Sequence, residues 1–152
     1  MKLKIEIAPD AEDELILRCR ERSERIAELE RTLGELLKND GTLALSIGHT
    51  EYYLAPAEIL FFETDGGHVS AHTVAGMYRS EKKLYELEAL LPRAFLRVSK
   101  SCILNAERVE SIARNLTGAS EVRFRGSSKR VYVSRAYYKL LKDRINELRS
   151  VK

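Results

Sequence analysis

The sequence has little of what a disulfide-stabilised, metal-binding or membrane-spanning protein needs. It contains only 2 cysteines, Cys19 and Cys102, outside any Cys-x-x-Cys pattern, so neither a disulfide framework nor a structural zinc site is expected. Apolar runs such as residues 59–62 are far shorter than the roughly 18 residues that span a bilayer. The N-terminus also lacks the apolar stretch of a signal peptide. These absences predict a cytoplasmic protein with reduced thiols.

The motifs of several enzyme classes are absent as well. The sequence has no GxxxxGK phosphate loop, no GxSxG elbow and no HExxH zinc motif. His68 and His72 form the only close histidine pair, and on a strand four residues span roughly 13 Å, too far to share one zinc ion. We therefore predict no catalytic activity, no metal or other cofactor, and no small-molecule substrate.

Charge is unevenly distributed along the chain. The whole sequence has 26 Lys and Arg against 23 Asp and Glu, a net charge of +3. From residue 95 onward, however, about 14 basic and about 5 acidic residues give roughly +9, so the first 94 residues carry roughly −6. A basic C-terminal half predicts contact with phosphates. Two solvated faces of opposite sign are the alternative interpretation.

The first 41 residues form an N-terminal extension. Alternating apolar residues at 3–7 and a second apolar run at 15–19 predict a β-hairpin. Helical spacing then predicts an amphipathic helix over residues 22–38, which Asn39-Asp40-Gly41 ends. Its apolar stripe either covers a core or forms a dimer seam, and it consists of Ile26, Leu29, Leu33 and Leu36.

Residues 42–152 are predicted to be a second, mostly β domain. Turn residues separate short β-like runs, and Asp65-Gly66-Gly67 is a hairpin turn. Phe61, Phe62, Tyr85 and Leu90 are expected in its core. Strands are predicted at 42–47, 52–54, 59–64, 68–73, 76–80, 95–98, 109–114, 121–125 and 130–133, and helices at 83–91 and 135–148.

Three segments of this domain resemble the LytTR family of DNA-binding domains: ILFFETDGGHVSAHT at 59–73, FLRVSKSCILNAERVESI at 95–112 and VYVSRAYYKLLK at 131–142. The likeness covers about residues 42–148. It implies a stack of three small antiparallel sheets, mostly β with small helices, whose loops enter the major groove of DNA. The implied function is sequence-specific binding of double-stranded DNA by a bacterial transcription regulator.

The resemblance also implies site residues. His68, Lys100 and Arg135 match positions that read bases, whereas Ser99, Ser101 and Tyr137 match supporting or phosphate contacts. The chemistry agrees, because Lys100 is a long cation between two hydroxyl residues and Arg135 follows a helix cap, Ser134. Arg97 and Asn105 match the family motif too, but we interpret them as structural.

A basic turn is a further candidate for binding the DNA backbone. Arg123, Arg125, Lys129 and Arg130 flank Gly126-Ser127-Ser128, and a basic hairpin tip can clamp phosphates. These side chains could equally be solvated.

The extension is too short for a receiver domain of roughly 120 residues. The chain instead resembles stand-alone LytTR regulators, which implies control by a small membrane protein. The apolar stripe of the N-terminal helix, on a unit too small to be a domain alone, predicts a homodimer. The rival interpretation is a protein-interaction module that docks through the acidic N-terminal helix; an RNA-binding β domain is a third. The operator, the regulated genes, the direction of regulation and its signal stay open.

Overall fold

The structure is a computed structural model. It describes residues 1–10, 14–38 and 41–150, and within the first helix it describes side chains only as far as Leu33. The chain divides into two units, Met1–Asp40 and Gly41–Lys152.

The first unit contains one helix, α1 (Glu24–Lys38). The hydroxyl of Ser23 accepts a hydrogen bond from the Ile26 N–H at 3.3 Å, so a serine caps the helix as its sequence favours. The side chains of Ile26, Leu29 and Leu33 are half-buried, whereas that of Leu36 lies outside the described residues. The predicted amphipathic helix is therefore confirmed in its position.

The predicted N-terminal hairpin is wrong for the residues that the structure describes. No strand is assigned to residues 1–10 or 14–23. Leu3, Ile5 and Ile7 are exposed by 87%, 78% and 89%. An isolated two-stranded hairpin is marginal in water unless one face is buried, and these side chains are exposed. Alternation alone was insufficient to form a strand pair.

In the second unit the described residues form ten strands and two α-helices. The helices are α2 (Leu84–Leu90) and α3 (Arg135–Ser150), and none of the described helices is long and apolar enough to cross a membrane. The strands are β1 (Leu43–Ile47), β2 (Thr50–Leu54), β3 (Ile59–Asp65), β4 (His68–Thr73), β5 (Met77–Ser80), β6 (Phe95–Ser99), β7 (Cys102–Asn105), β8 (Val109–Ala113), β9 (Ser120–Phe124) and β10 (Arg130–Val133).

These strands are all antiparallel and form two sheets. The larger has the order β2-β1-β5-β4-β3-β7-β6, and the smaller has the order β10-β9-β8. The mostly β fold class is confirmed, but the resemblance implied three sheets. The difference arises because β3 pairs with both β4 and β7, and because one residue pair, Ser46 with Arg79, joins the β1–β2 ribbon to β5.

The larger sheet is covered on both faces by apolar side chains. Phe61 belongs to a cluster with Val98, Phe124 and Leu141, which packs the sheet against the smaller sheet and α3. Phe62, its neighbour on β3, belongs to the opposite cluster, which includes residues of α2. Neighbouring residues of a strand point to opposite faces, so β3 contributes to both cores.

Two residues predicted for the core are on the surface instead. Tyr85 is 65% and Leu90 is 52% exposed, although both belong to α2. A helix of only two turns buries one stripe, and here that stripe is Leu84 and Leu87.

Candidate functional site

Three loops meet at one end of the larger sheet. The first is the β3–β4 turn, closed by the pair Asp65 and His68. The second is the β6–β7 turn at residues 99–101, whose Ser101 carbonyl accepts a hydrogen bond from the Thr64 N–H at 2.9 Å. The third is the start of α3, where the Ser134 N–H donates to the Val98 carbonyl at 3.1 Å. We call this region the three-loop end.

The residues predicted to read bases all lie at the three-loop end. His68 is the first residue of β4, Lys100 lies in the β6–β7 turn, and Arg135 is the first residue of α3. All three side chains are exposed. Among the described residues none of them has a hydrogen-bond or ion-pair partner within the protein. They are therefore available to a ligand.

The predicted supporting residues contribute mainly to the loops themselves. The Ser99 hydroxyl accepts a hydrogen bond from the Ser101 N–H at 3.3 Å, and the two serine hydroxyls are 3.5 Å apart. Tyr137 is half-buried against the core cluster that contains Leu141. The Ser134 hydroxyl bonds back to the Val98 carbonyl at 3.4 Å. These contacts stabilise the three-loop end.

Beside Arg135 is a recess with two further cations. It is lined by residues of the β8–β9 connection and of α3, among them Arg114 and Lys139. The Arg114 guanidinium lies 4.7 Å from the ring centroid of Tyr138, a cation–π contact that holds it over the helix. Sequence reasoning missed both cations. Lys139 was recognisable, because residues four apart share a helix face; the position of Arg114 depends on the tertiary fold.

The basic turn, residues 123–130, has its tip at the opposite end of β4. The Lys129 ammonium lies 3.2 Å from His72 Nδ1 and donates to the Gly76 carbonyl at 3.1 Å. His68 and His72 are four residues apart on β4, a separation of about 13 Å. The structure thus brings His68, Lys100 and Arg135 together and places the basic turn at a distance from them.

The side chains of the basic turn are engaged with the protein to different degrees. Arg125 Nη1 donates to the Glu107 carbonyl at 2.8 Å. Arg123 Nε lies 2.9 Å and Arg130 Nε 3.6 Å from the same carboxylate oxygen of Glu121. Because both arginines are about half exposed, these ion pairs are weak and can exchange for phosphate.

His72 links the basic turn to the larger sheet. The residue is 8% exposed, and its ring stacks on that of Phe61, with centroids 4.2 Å apart. Glu63 Oε1 lies 2.9 Å from His72 Nε2, but not in the direction of a good hydrogen bond. Burial and the neighbouring Lys129 ammonium lower the pKa of His72, and Glu63 offsets this only in part. The neutral ring can therefore accept a hydrogen bond from Lys129 at Nδ1.

Exposed cations on loops that are tied together at one end of a β scaffold are suited to contact with DNA phosphates and base edges. Comparison with known proteins identifies the family. The family model described as the LytTr DNA-binding domain matches residues 50–146. The chain belongs to the LytTR DNA-binding domain family, which confirms the resemblance found in its sequence.

Relatives extend along nearly the whole chain. A protein of Staphylococcus aureus strain MSSA476, described as an uncharacterized HTH-type transcriptional regulator, is 26% identical over 147 residues, 96% of this chain and 99% of the relative. The equivalent protein of strain MRSA252 is 25% identical over the same length. A solved LytTr DNA-binding domain from Bacillus cereus matches with a TM-score of 0.63 and 18% identity, over 69% of this chain and 96% of that domain. The last likeness supports the fold.

Proposed function

We propose that the protein is a transcription regulator that binds double-stranded DNA in a sequence-specific way through the three-loop end. One observation carries the proposal: backbone hydrogen bonds tie together the loops of His68, Lys100 and Arg135, whose side chains are exposed. Loops held in this way can enter a major groove as one rigid unit, and specificity requires such rigidity.

Each residue of the three-loop end has a proposed role. Lys100 and Arg135 donate to base edges, for which guanine O6 and N7 are the usual acceptors, and His68 makes a third contact from the β3–β4 turn. Ser99, Ser101 and Tyr137 support the loops. Arg114 and Lys139 add phosphate contacts beside Arg135, because all three cations line the same recess.

The basic turn is proposed to bind phosphates without reading sequence. Arg123, Arg125 and Arg130 remain exposed and can reach the DNA backbone on one side of the groove. For Lys129 we propose an anchoring role, since its ammonium already contacts His72 and Gly76.

Selection from a random pool tests the proposal. The full chain would be incubated with duplexes that contain a randomised stretch of about 30 base pairs, long enough for two half-sites one helical turn apart. We expect a selected duplex to bind about a thousandfold more tightly than random duplex, with affinity that falls steeply between about 50 and 200 mM salt. Binding that is insensitive to salt and enriches no sequence would favour the protein-interaction module. A preference for single strands over duplex would favour an RNA-binding role.

We also propose that α1 forms a homodimer seam, which would set the spacing of two half-sites. The support is its apolar stripe on a unit of about 40 residues. Sedimentation of the full chain at tens of micromolar should reveal a dimer, and Leu29→Glu should shift it toward monomer. A parent chain that is monomeric throughout this range would contradict the seam.

The remaining features of this proposal follow from regulation by DNA binding. The protein acts in the cytoplasm, where the bacterial chromosome lies, and needs neither catalysis nor a cofactor.

A small membrane protein is the proposed controlling partner, by resemblance to stand-alone LytTR regulators. Co-purification of the full chain from membranes of the native host would support this partner.

A further inference from the structure

The backbone of the β6–β7 turn is held by hydrogen bonds to three successive carbonyl groups. Arg97 Nε donates to the Ser99 carbonyl at 3.2 Å, and Arg97 Nη2 donates to the Lys100 carbonyl at 2.7 Å. The next carbonyl, that of Ser101, accepts from the Thr64 N–H at 2.9 Å. The turn therefore has little freedom, although it lies on the surface.

Arg97 is itself positioned from another element. It is on β6, its side chain is 25% exposed, and its Nη1 lies 3.5 Å from Glu88 Oε1 on α2. A guanidinium is planar and presents its donors in a fixed fork, so it can bond two neighbouring carbonyls at once. A lysine ammonium has the same charge but lacks this geometry.

We propose that Arg97 is a positioning residue for DNA recognition: its guanidinium fixes the turn from which Lys100 extends. The inference rests on the proposed function of the three-loop end. When the backbone is already ordered, binding has to order only the Lys100 side chain, which lowers the entropic cost.

The test compares Arg97→Lys with Arg93→Lys in the full chain. Arg93 is a matched control because it also donates through Nε and Nη2, but to Glu147 and away from the turn. We expect Arg97→Lys to weaken binding of the selected duplex about threefold to tenfold, the cost of ordering one loop segment. Binding of random duplex and the melting temperature should change little, and Arg93→Lys should resemble the parent.

A double-mutant cycle shows whether Arg97 acts through Lys100. In a Lys100→Ala background, Arg97→Lys should cost less than about twofold, because nothing is left for it to position. An equal loss in both backgrounds would overturn the inference, as would no loss in the parent. If Lys100→Ala itself changes nothing, then the proposed reading role of Lys100 is wrong, which is a different outcome.

A measurement without DNA keeps the inference testable on its own. The Ser101 N–H bonds to the Ser99 hydroxyl inside the turn, so loosening the turn should speed its hydrogen exchange about tenfold in Arg97→Lys. If Arg97→Lys fails to fold, Glu88→Gln is the second variant; it weakens only the ion pair and should speed the same exchange less. Unchanged exchange in the folded variant would contradict the proposed positioning.

Discussion

Both ends of β4 present positive charge, but hydrogen bonds hold the backbone at one end and the side chains at the other. At the three-loop end, Lys100 and Arg135 have no protein partner among the described residues, whereas the backbone beneath them is tied by hydrogen bonds. At the basic turn the side chains themselves are tethered: Arg125 to the Glu107 carbonyl and Lys129 to His72. A free side chain on a rigid backbone suits the reading of bases, and a tethered cation suits positioning.

The largest effect should come from the core beneath the basic turn. Phe124 is fully buried, and its ring lies 5.4 Å from that of Phe61, which in turn stacks on His72. Phe124→Ala should lower the free energy of unfolding by about 3–5 kcal/mol in urea denaturation. Tyr85→Ala, which truncates an exposed aromatic residue, should cost less than about 0.5 kcal/mol.

Phe124→Ala also tests whether the three-loop end and the basic turn loosen independently of each other. Hydrogen exchange should accelerate more at Lys129, which the Phe61–His72 stack supports, than at Ser101. Equal acceleration at both positions would mean that the ends loosen as one unit, and the contrast drawn above would fail.

The next largest effect should be a loss of affinity when a residue proposed to read bases is replaced. Lys100→Ala or Arg135→Ala should each cost about 1–3 kcal/mol against the selected duplex and leave random-duplex binding nearly unchanged. The control is Arg149→Ala, about 20 Å along the same helix from Arg135. A folded double variant that still discriminates as the parent does would show that the reading loops lie elsewhere.

Replacing arginines of the basic turn should have a smaller and less specific effect. Arg125→Ala and Arg130→Ala should weaken binding of selected and random duplex equally, and each should reduce the slope of log affinity against log salt by about one unit. A change in discrimination with an unchanged slope would assign base reading to this end, contrary to our proposal.

The smallest predicted effect is a pH dependence at the buried histidine. The pKa of His72 is lowered in the fold, so the unfolded chain binds a proton that the folded chain resists. Stability should therefore be complete above the unfolded pKa near 6.5 and should decline as the pH falls from there toward the folded value. Protonation would also set His72 against the Lys129 ammonium.

Urea denaturation at pH 7.5 and 5.5 measures this dependence. His72→Gln should reduce the difference between the two pH values, whereas His68→Gln, at the exposed three-loop end, should keep the parent's difference. If both variants behave like the parent, carboxylates elsewhere dominate the pH dependence of stability, and protonation of His72 contributes little to it.

Much of the second unit was predictable from sequence, because most of its strands are short apolar or alternating runs that end at turn residues. β4 and β10 have the bounds that their patterns predicted. β7 was missed, since Cys102–Asn105 is buried throughout and so lacks any alternation. The predicted N-terminal hairpin was wrong although its residues alternate, because its apolar side chains are exposed and alternation by itself does not stabilise a strand pair.

The candidate site was predictable only as separate motifs. Sequence indicated His68, Lys100 and Arg135, but their meeting at one end depends on the register of β3 with β7 and on the bond from Ser134 to Val98. The engagement of Lys129 by His72 links residues 57 positions apart, which no local pattern encodes. Long-range pairing is the information that a single sequence does not display.

In the β6–β7 turn, the Lys100 side chain is not one of the groups that hold the backbone in place. No non-glycine residue in the described ranges has a positive φ, so the backbone at position 100 accepts most L-amino acids without strain. The bonds that hold it use carbonyl groups and the Arg97 side chain, and none of them uses the side chain of Lys100. On the proposed reading role of Lys100, exchange of this one side chain should change the preferred operator while the domain keeps its stability.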